Sequence, residues 1–296
     1  MKRIVAGDLE VAYLDQGPRD GFPAVLLHGF PYDVHAYDEV VPRLAEKGIR
    51  CIVPYLRGYG PTRFLSADTP RSGQQAALGN DLRALLDALD IPRAILAGYD
   101  WGGRAACVVA ALWPERARGL ISCGDGYNIQ DIANAGMPAA PEQERRFWYQ
   151  YYLHSERGRA GLEQNRRALT HLLWELWSPT WRFDAETFER SAAAFDNLDF
   201  VEVVIHSYRH RYGLVPSDPA LQSLEAQLAD QPAITVPAIV LEGADDGVDP
   251  PAELDRHASH FTGSYERRII PGTGHNLPQE APDAFVRAIC DLSGKR

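Results

Sequence analysis

Lysine is almost missing from this chain: Lys2, Lys47 and Lys295 are all that 296 residues contain, so arginine carries nearly the whole positive charge. Against 30 basic side chains stand 40 acidic ones, for a formal net charge of −10. That balance disfavours nucleic acid as a partner, because phosphate binding needs a basic face, and no basic cluster is present to recruit anionic lipid. No apolar run approaches the roughly 20 residues of a membrane span. The opening stretch MKRIVAGDLEVAYLDQG lacks the apolar segment of a secretory signal. A cytoplasmic protein with no membrane association is the expectation. Cysteine is scarce, and Cys51, Cys107, Cys123 and Cys290 are scattered through apolar segments with no C-x-x-C spacing. They read as free, buried thiols in a reducing compartment. Neither a phosphate loop nor G-x-G-x-x-G occurs, so no nucleotide cofactor is implied. His154, His206 and His210 have no metal partners at ligand spacing, so no metal is implied either. No feature specifies an oligomeric state.

What is there suits a folded enzyme-sized domain. The composition is 45% hydrophobic and 10% aromatic, enough to bury a real core. Short apolar runs at 3–5, 10–14, 24–27, 51–55, 94–97 and 119–123 read as strands. Helical spacing falls over 36–47, 74–89 and 104–112. Strands alternating with helices predict βαβ units and a mostly parallel sheet. The rhythm stops near Gly126 and resumes with strands at 236–241 and 265–270 and a last helix near 282–292. In between lie aromatic-rich helical stretches such as ERRFWYQYYLHSERGRAGLEQNRRALTHLLWELW. This predicts a core made of residues 1–126 and 226–296, with residues 127–225 inserted as a helical segment. Most of the insertion's aromatics, Trp174 and Trp177 among them, are expected to pack it against the core.

Four motifs each stand just past a predicted strand. His28-Gly29-Phe30-Pro31 follows the third. Gly98-Tyr99-Asp100-Trp101-Gly102-Gly103 has the G-x-D-x-G spacing of a tight strand–turn–helix elbow, which pushes its central side chain into the open. Glu242-Gly243-Ala244-Asp245-Asp246 and Gly272-Thr273-Gly274-His275 follow the last two strands. The chain order is nucleophile, acid, histidine.

Together, HGFP, LRGYG, GYDWGG, the aspartate after VLEGAD, and GHNLPQEAP resemble the α/β-hydrolases that use an aspartate nucleophile, among them epoxide hydrolases, haloalkane dehalogenases and haloacetate dehalogenases. The resemblance covers the whole chain. It implies the α/β-hydrolase fold, with a mostly parallel sheet flanked by helices and residues of about 127–225 as an inserted helical cap. Aspartate is ionised near neutral pH and can displace a leaving group from sp³ carbon, giving an alkyl–aspartyl ester. On this reading Asp100 is the nucleophile and His275 activates the water that cleaves the ester. The Phe30 and Trp101 amides hold the resulting oxyanion. Asp246 is the preferred acid for orienting His275. Asp245 and Asp249 are close neighbours, and Asp125, after the strand at 119–123, is the alternative, since some dehalogenases of the family place their acid there.

The reaction depends on the leaving group. An opened epoxide needs a proton, and the family's epoxide hydrolases take it from two cap tyrosines. Their motifs resemble Phe147-Trp148-Tyr149-Gln150-Tyr151-Tyr152 and Ser207-Tyr208-Arg209, which points to Tyr149 and Tyr208. A halide needs only N–H donors, for which Trp101 and Trp148 are candidates. Arg104 matches one of the two arginines with which haloacetate dehalogenases hold a carboxylate, but Trp101 replaces the other, and a structural ion pair is the alternative role. Epoxide hydrolysis on small, uncharged and apolar substrates is the expectation. Dehalogenation by the same aspartate is the first alternative, and a non-catalytic ligand-binding protein on a hydrolase scaffold the second.

Overall fold

The computed structural model describes residues 1–124 and 126–294. β3 (Phe22–Leu27), β6 (Ala94–Tyr99), β7 (Ala117–Cys123) and β8 (Ala238–Gly243) are buried along most or all of their length. Their unbroken apolar runs are the cause, because a strand covered on both faces has no polar side to show. They pair in parallel, with β4 (Ile49–Pro54) outside β3 and β9 (Tyr265–Ile270) outside β8. At one edge β1 (Lys2–Ala6) and β2 (Leu9–Gln16) form an antiparallel hairpin laid against β4, and the two-residue strand β5 (Arg63–Phe64) pairs with β2. The sheet runs in the order β1-β2-β4-β3-β6-β7-β8-β9. It is the predicted mostly parallel, helix-flanked sheet.

Two helices differ from the sequence pattern. The helix expected over 36–47 is a 3₁₀ turn, Val34–Tyr37, followed by α1 (Val40–Glu46). Asp33 caps the turn by accepting from the His35 amide. Restarting at Val40 keeps Pro42 in a first turn, where its missing N–H costs nothing; one helix from Ala36 would place it in the interior. After α2 (Gln75–Ala88), α3 runs Asp100–Leu112 and so starts four residues before the predicted point, directly at the elbow.

Between β7 and β8 the described residues form no strand. They form α4 (Pro141–Arg146), α5 (Trp148–His154), α6 (Glu156–Trp177), α7 (Ala185–Ala192), α8 (Phe200–His210) and α9 (Gln222–Ala229). These pack closely on the sheet side. The Trp174 indole donates to Pro31 O at 2.8 Å. A side chain on Gly73 would collide with Ser207 of α8, 2.7 Å from its Cβ. The chain ends in α10 (Leu277–Glu280) and α11 (Pro282–Ser293). All four cysteines are free and buried, as predicted. Among the described residues no helix is long and apolar enough to cross a membrane.

Candidate active site

The elbow is strained, and its neighbours are glycine for that reason. Asp100 has φ +49°, in the left-handed region that non-glycine residues rarely occupy. A Cβ on Gly98 would stand 2.5 Å from the Gly102 carbonyl carbon, and one on Gly29 would stand 2.5 Å from Asp100 Cβ. As the first residue of α3, Asp100 sits where the helix leaves N–H groups free and where its dipole favours negative charge. Trp101 supplies one of those free amides. The Phe30 N–H donates to Asp100 Oδ1 at 2.7 Å. Burial alone would raise the Asp100 pKa, but His275, Arg104 and the Phe30 amide outweigh it and hold the carboxyl below its usual range. Gly29→Ala must push the Phe30 loop off Asp100. Its kcat/KM is expected to fall about 10²-fold, the scale of a 1 Å misplacement, while circular dichroism still reports a folded chain.

His28 holds that loop in place. Its Nε2 accepts from the Leu56 amide at 3.1 Å, so Nδ1 must carry the proton that it donates to Gly29 O at 3.0 Å. Burial lowers its pKa to about 4, which keeps this tautomer neutral. Behind it Arg57 is buried, clamping Asp81 with two hydrogen bonds of 2.6 and 2.7 Å and donating to Ser72 O.

His275 arrives from the turn after β9. Its Nδ1 lies 2.8 Å from Asp246 Oδ2, and Asp246 Oδ1 accepts from the Val248 and Asp249 amides, so this carboxylate cannot swing away. His275 Nε2 points at Asp100 Oδ2 from 3.9 Å, too far for a hydrogen bond, and has no partner of its own. Burial would depress the His275 pKa, yet the two carboxylates outweigh it and push it up to about 10. Ser178 and Glu280 secure the turn: Ser178 Oγ accepts from the His275 amide, and Glu280 accepts from the Gly274 amide. Asp125, the alternative acid, lies outside the described residues.

Tyr149 on α5 and Tyr208 on α8 meet as buried T-shaped rings, centroids 5.5 Å apart, close enough to Asp100 for its charge to act on both phenols. Burial pushes both phenols well above their ordinary pKa, so both are neutral O–H donors. Two residues not among the predicted site residues complete this wall. Gln150 Oε1 accepts from Arg211 and from the Tyr212 hydroxyl, which turns the amide nitrogen toward the Tyr149 oxygen at 3.2 Å. With its oxygen accepting from Gln150, Tyr149 has its own proton free to donate. Trp177, expected only to pack, lies against both Tyr149 (4.8 Å) and His275 (5.2 Å), and its carbonyl accepts from the His275 amide.

Other candidates are placed differently. Trp101 is fully buried with its indole N–H unpartnered, stacked on Phe30. Trp148 packs on Tyr149 and Tyr152, partly buried against the core. Consecutive helical residues point about 100° apart, and α5 places Tyr149 against Trp177 and Tyr208. Arg104 makes no ion pair among the described residues; its Nε donates to Asn128 O. This overturns the structural ion pair as its role. No group of three or more His, Cys, Asp or Glu among the described residues could hold a metal. Arg104, Gln150 and Arg211 also line a cavity of about 880 Å³ that opens beside the buried centre.

Comparison with known proteins agrees with this architecture. A family model described as alpha/beta hydrolase fold matches residues 23–282. A solved structure from Klebsiella pneumoniae, of a protein whose proposed activity is epoxide hydrolysis, is 49% identical; the match covers 99% of this chain and 97% of that one, with a TM-score of 0.97. Haloalkane dehalogenase of Psychrobacter cryohalolentis is 37% identical over 109 residues, 37% of this chain and 35% of that protein. Epoxide hydrolase B of Mycobacterium tuberculosis is 30% identical over 150 residues, 46% of this chain and 40% of that protein. The matched stretches thus span well under half the length of these curated relatives.

Proposed function

Because the chain belongs to the α/β-hydrolase fold family, we propose that it opens epoxides to vicinal diols through an ester on Asp100, beneath a helical cap of residues 127–225. The observation that carries this reading is the pair of neutral phenols facing an ionised aspartate.

The two oxygens of Asp100 divide the work. Oδ1 is held by the Phe30 amide, which leaves Oδ2 to attack the epoxide carbon. The C–O bond of the ring breaks as the Oδ2–carbon bond forms, and the ring oxygen takes a proton from Tyr149 or Tyr208. Esterification cancels the Asp100 charge. One of the two carboxylates that raise the His275 pKa is then gone, and His275 becomes a competent base. It takes a proton from water as the water oxygen bonds to the ester carbonyl carbon. The oxyanion forms on Oδ1, within reach of the Phe30 amide and beside the free Trp101 amide. On collapse the ester C–O bond breaks, the departing diol oxygen takes the proton held by His275, and the remaining hydroxyl proton returns to the tyrosinate, which leaves the water's oxygen in the Asp100 carboxylate.

Dehalogenation is the second reading, favoured by the unpartnered indole N–H of Trp101. Styrene oxide and 1-bromobutane, assayed for diol and for bromide, separate the two. Diol without comparable bromide is expected; bromide without diol would replace the first reading by the second. A single turnover in heavy-oxygen water should label the Asp100 peptide, and turnover without that label would refute the ester route.

A further inference from the structure

Two arginines beside the cavity carry N–H donors that ring opening does not use. Arg104 lies one turn after Asp100 on α3 and is 7% exposed. Its Nε donates to Asn128 O, while its Nη1 is buried without a partner. Arg211, at the end of α8, uses Nη1 on Gln150 Oε1 and lays its guanidinium 4.3 Å over the Tyr208 ring, yet its Nε and Nη2 are also buried without partners. No described carboxylate comes within 4 Å of either guanidinium, whereas Arg57 and Arg267 are both paired with one. The acidic residues of the same cavity are engaged elsewhere: Glu144 with Tyr151 and the Ala139 amide, Asp131 with Asn134. Burial and the charge of Arg211 lower the Arg104 pKa to about 10, so its guanidinium remains cationic near neutrality.

Buried donors without acceptors are costly. Two guanidiniums on one cavity, one from each side of the cleft, present several such donors to whatever enters. A carboxylate offers about four lone-pair sites in the matching plane. The charge of Asp100 reaches Arg104 without contact and vanishes in the ester, so it does not replace a contacting anion. We propose that Arg104 and Arg211 together hold a carboxylate on the substrate, making this an enzyme for epoxides that carry an acid group. The expectation of an uncharged substrate took no account of Arg211. The proposal rests on the epoxide reading for the reaction, but not for the anion site itself.

Calorimetry with 3-phenylpropionate and 3-phenylpropionamide, which contain no epoxide, tests the site alone. The acid should bind at least ~10-fold more tightly than the amide, a factor worth about 1.4 kcal/mol. Arg211→Gln and Arg104→Gln should each erase most of that preference, and Arg211→Lys, which keeps the charge, should retain part of it. Equal affinity of the unmutated protein for acid and amide would overturn the proposal, whatever the variants do. With 3-phenylglycidate and its amide as substrates, the acid should be favoured through KM. Acid preference in binding with no opening of either epoxide would keep the carboxylate site and refute the reaction. Turnover of both epoxides with no acid preference would do the reverse.

Discussion

Asp100→Ala is expected to lose turnover by on the order of 10⁴-fold or more, and His275→Gln to stop after one event with the substrate still attached. The two variants fail at different steps, which is what makes them informative. On the proposed route, Asp100 Oδ2 is the carboxylate oxygen left free to attack the epoxide carbon, and Asp100→Ala removes it. Alanine is the better replacement, since a side-chain amide in a site that activates water can be hydrolysed back to aspartate. Without the imidazole, attack by Asp100 still proceeds, but no base deprotonates water against the ester. Intact-mass spectrometry after mixing His275→Gln with styrene oxide should show a gain equal to one substrate, and peptide mapping should place it on Asp100. An unmodified His275→Gln chain, together with measurable turnover by Asp100→Ala, would remove the covalent route. Asp246→Asn should act on the same step more mildly, because His275 would lose the charge that orients it and stabilises its protonated form.

Much of this architecture could be read from sequence because it hangs on strand ends. Apolar runs mark the buried strands, and each motif that carries Phe30, Asp100, Asp246 or His275 begins where such a run stops. The sheet then converges those ends without further help from the side chains. The cleft's other wall is different. Gln150, Trp177 and Arg211 sit on or beside α5, α6 and α8, where aromatic and polar residues recur at helical spacing with nothing to separate the residue facing the centre from the one facing solvent. Trp148 illustrates the difficulty. It adjoins Tyr149 in sequence, yet the helical rotation between them brings Tyr149 and not Trp148 against the Trp177 and Tyr208 rings. Gln150 was equally silent, since its role depends on Arg211 and Tyr212, about sixty residues away. Pro42 and the elbow glycines did carry a signal for the two displaced helix starts. One forbids a continuous helix, and the others permit a helix to start on a left-handed aspartate.

On the proposed reaction the tyrosines separate carbon–oxygen from carbon–halogen chemistry, and their removal should divide the two. Tyr149→Phe and Tyr208→Phe are each expected to slow epoxide opening about 10²-fold, with the double variant at least that slow, the usual worth of a positioned acid. The reason lies in the leaving group. An alkoxide is far too basic to depart unprotonated into a buried site, whereas a halide leaves as a stable anion and gains little from a phenol. Any bromide release should therefore change by no more than a few fold in the same variants. Burial makes this contrast sharper, because it keeps both phenols protonated and so keeps a proton available through the neutral pH range. The two replacements should differ in one respect. Tyr149→Phe strips the acceptor from the Gln150 amide, and an unsatisfied buried donor costs about 1–3 kcal/mol. A lowered melting temperature is expected for that variant, and Gln150→Leu introduced with it should recover part of the loss, since a leucine leaves no donor unpaired. If both single variants open epoxides at nearly the unmutated rate, the proton comes from elsewhere and the two phenols only line the pocket.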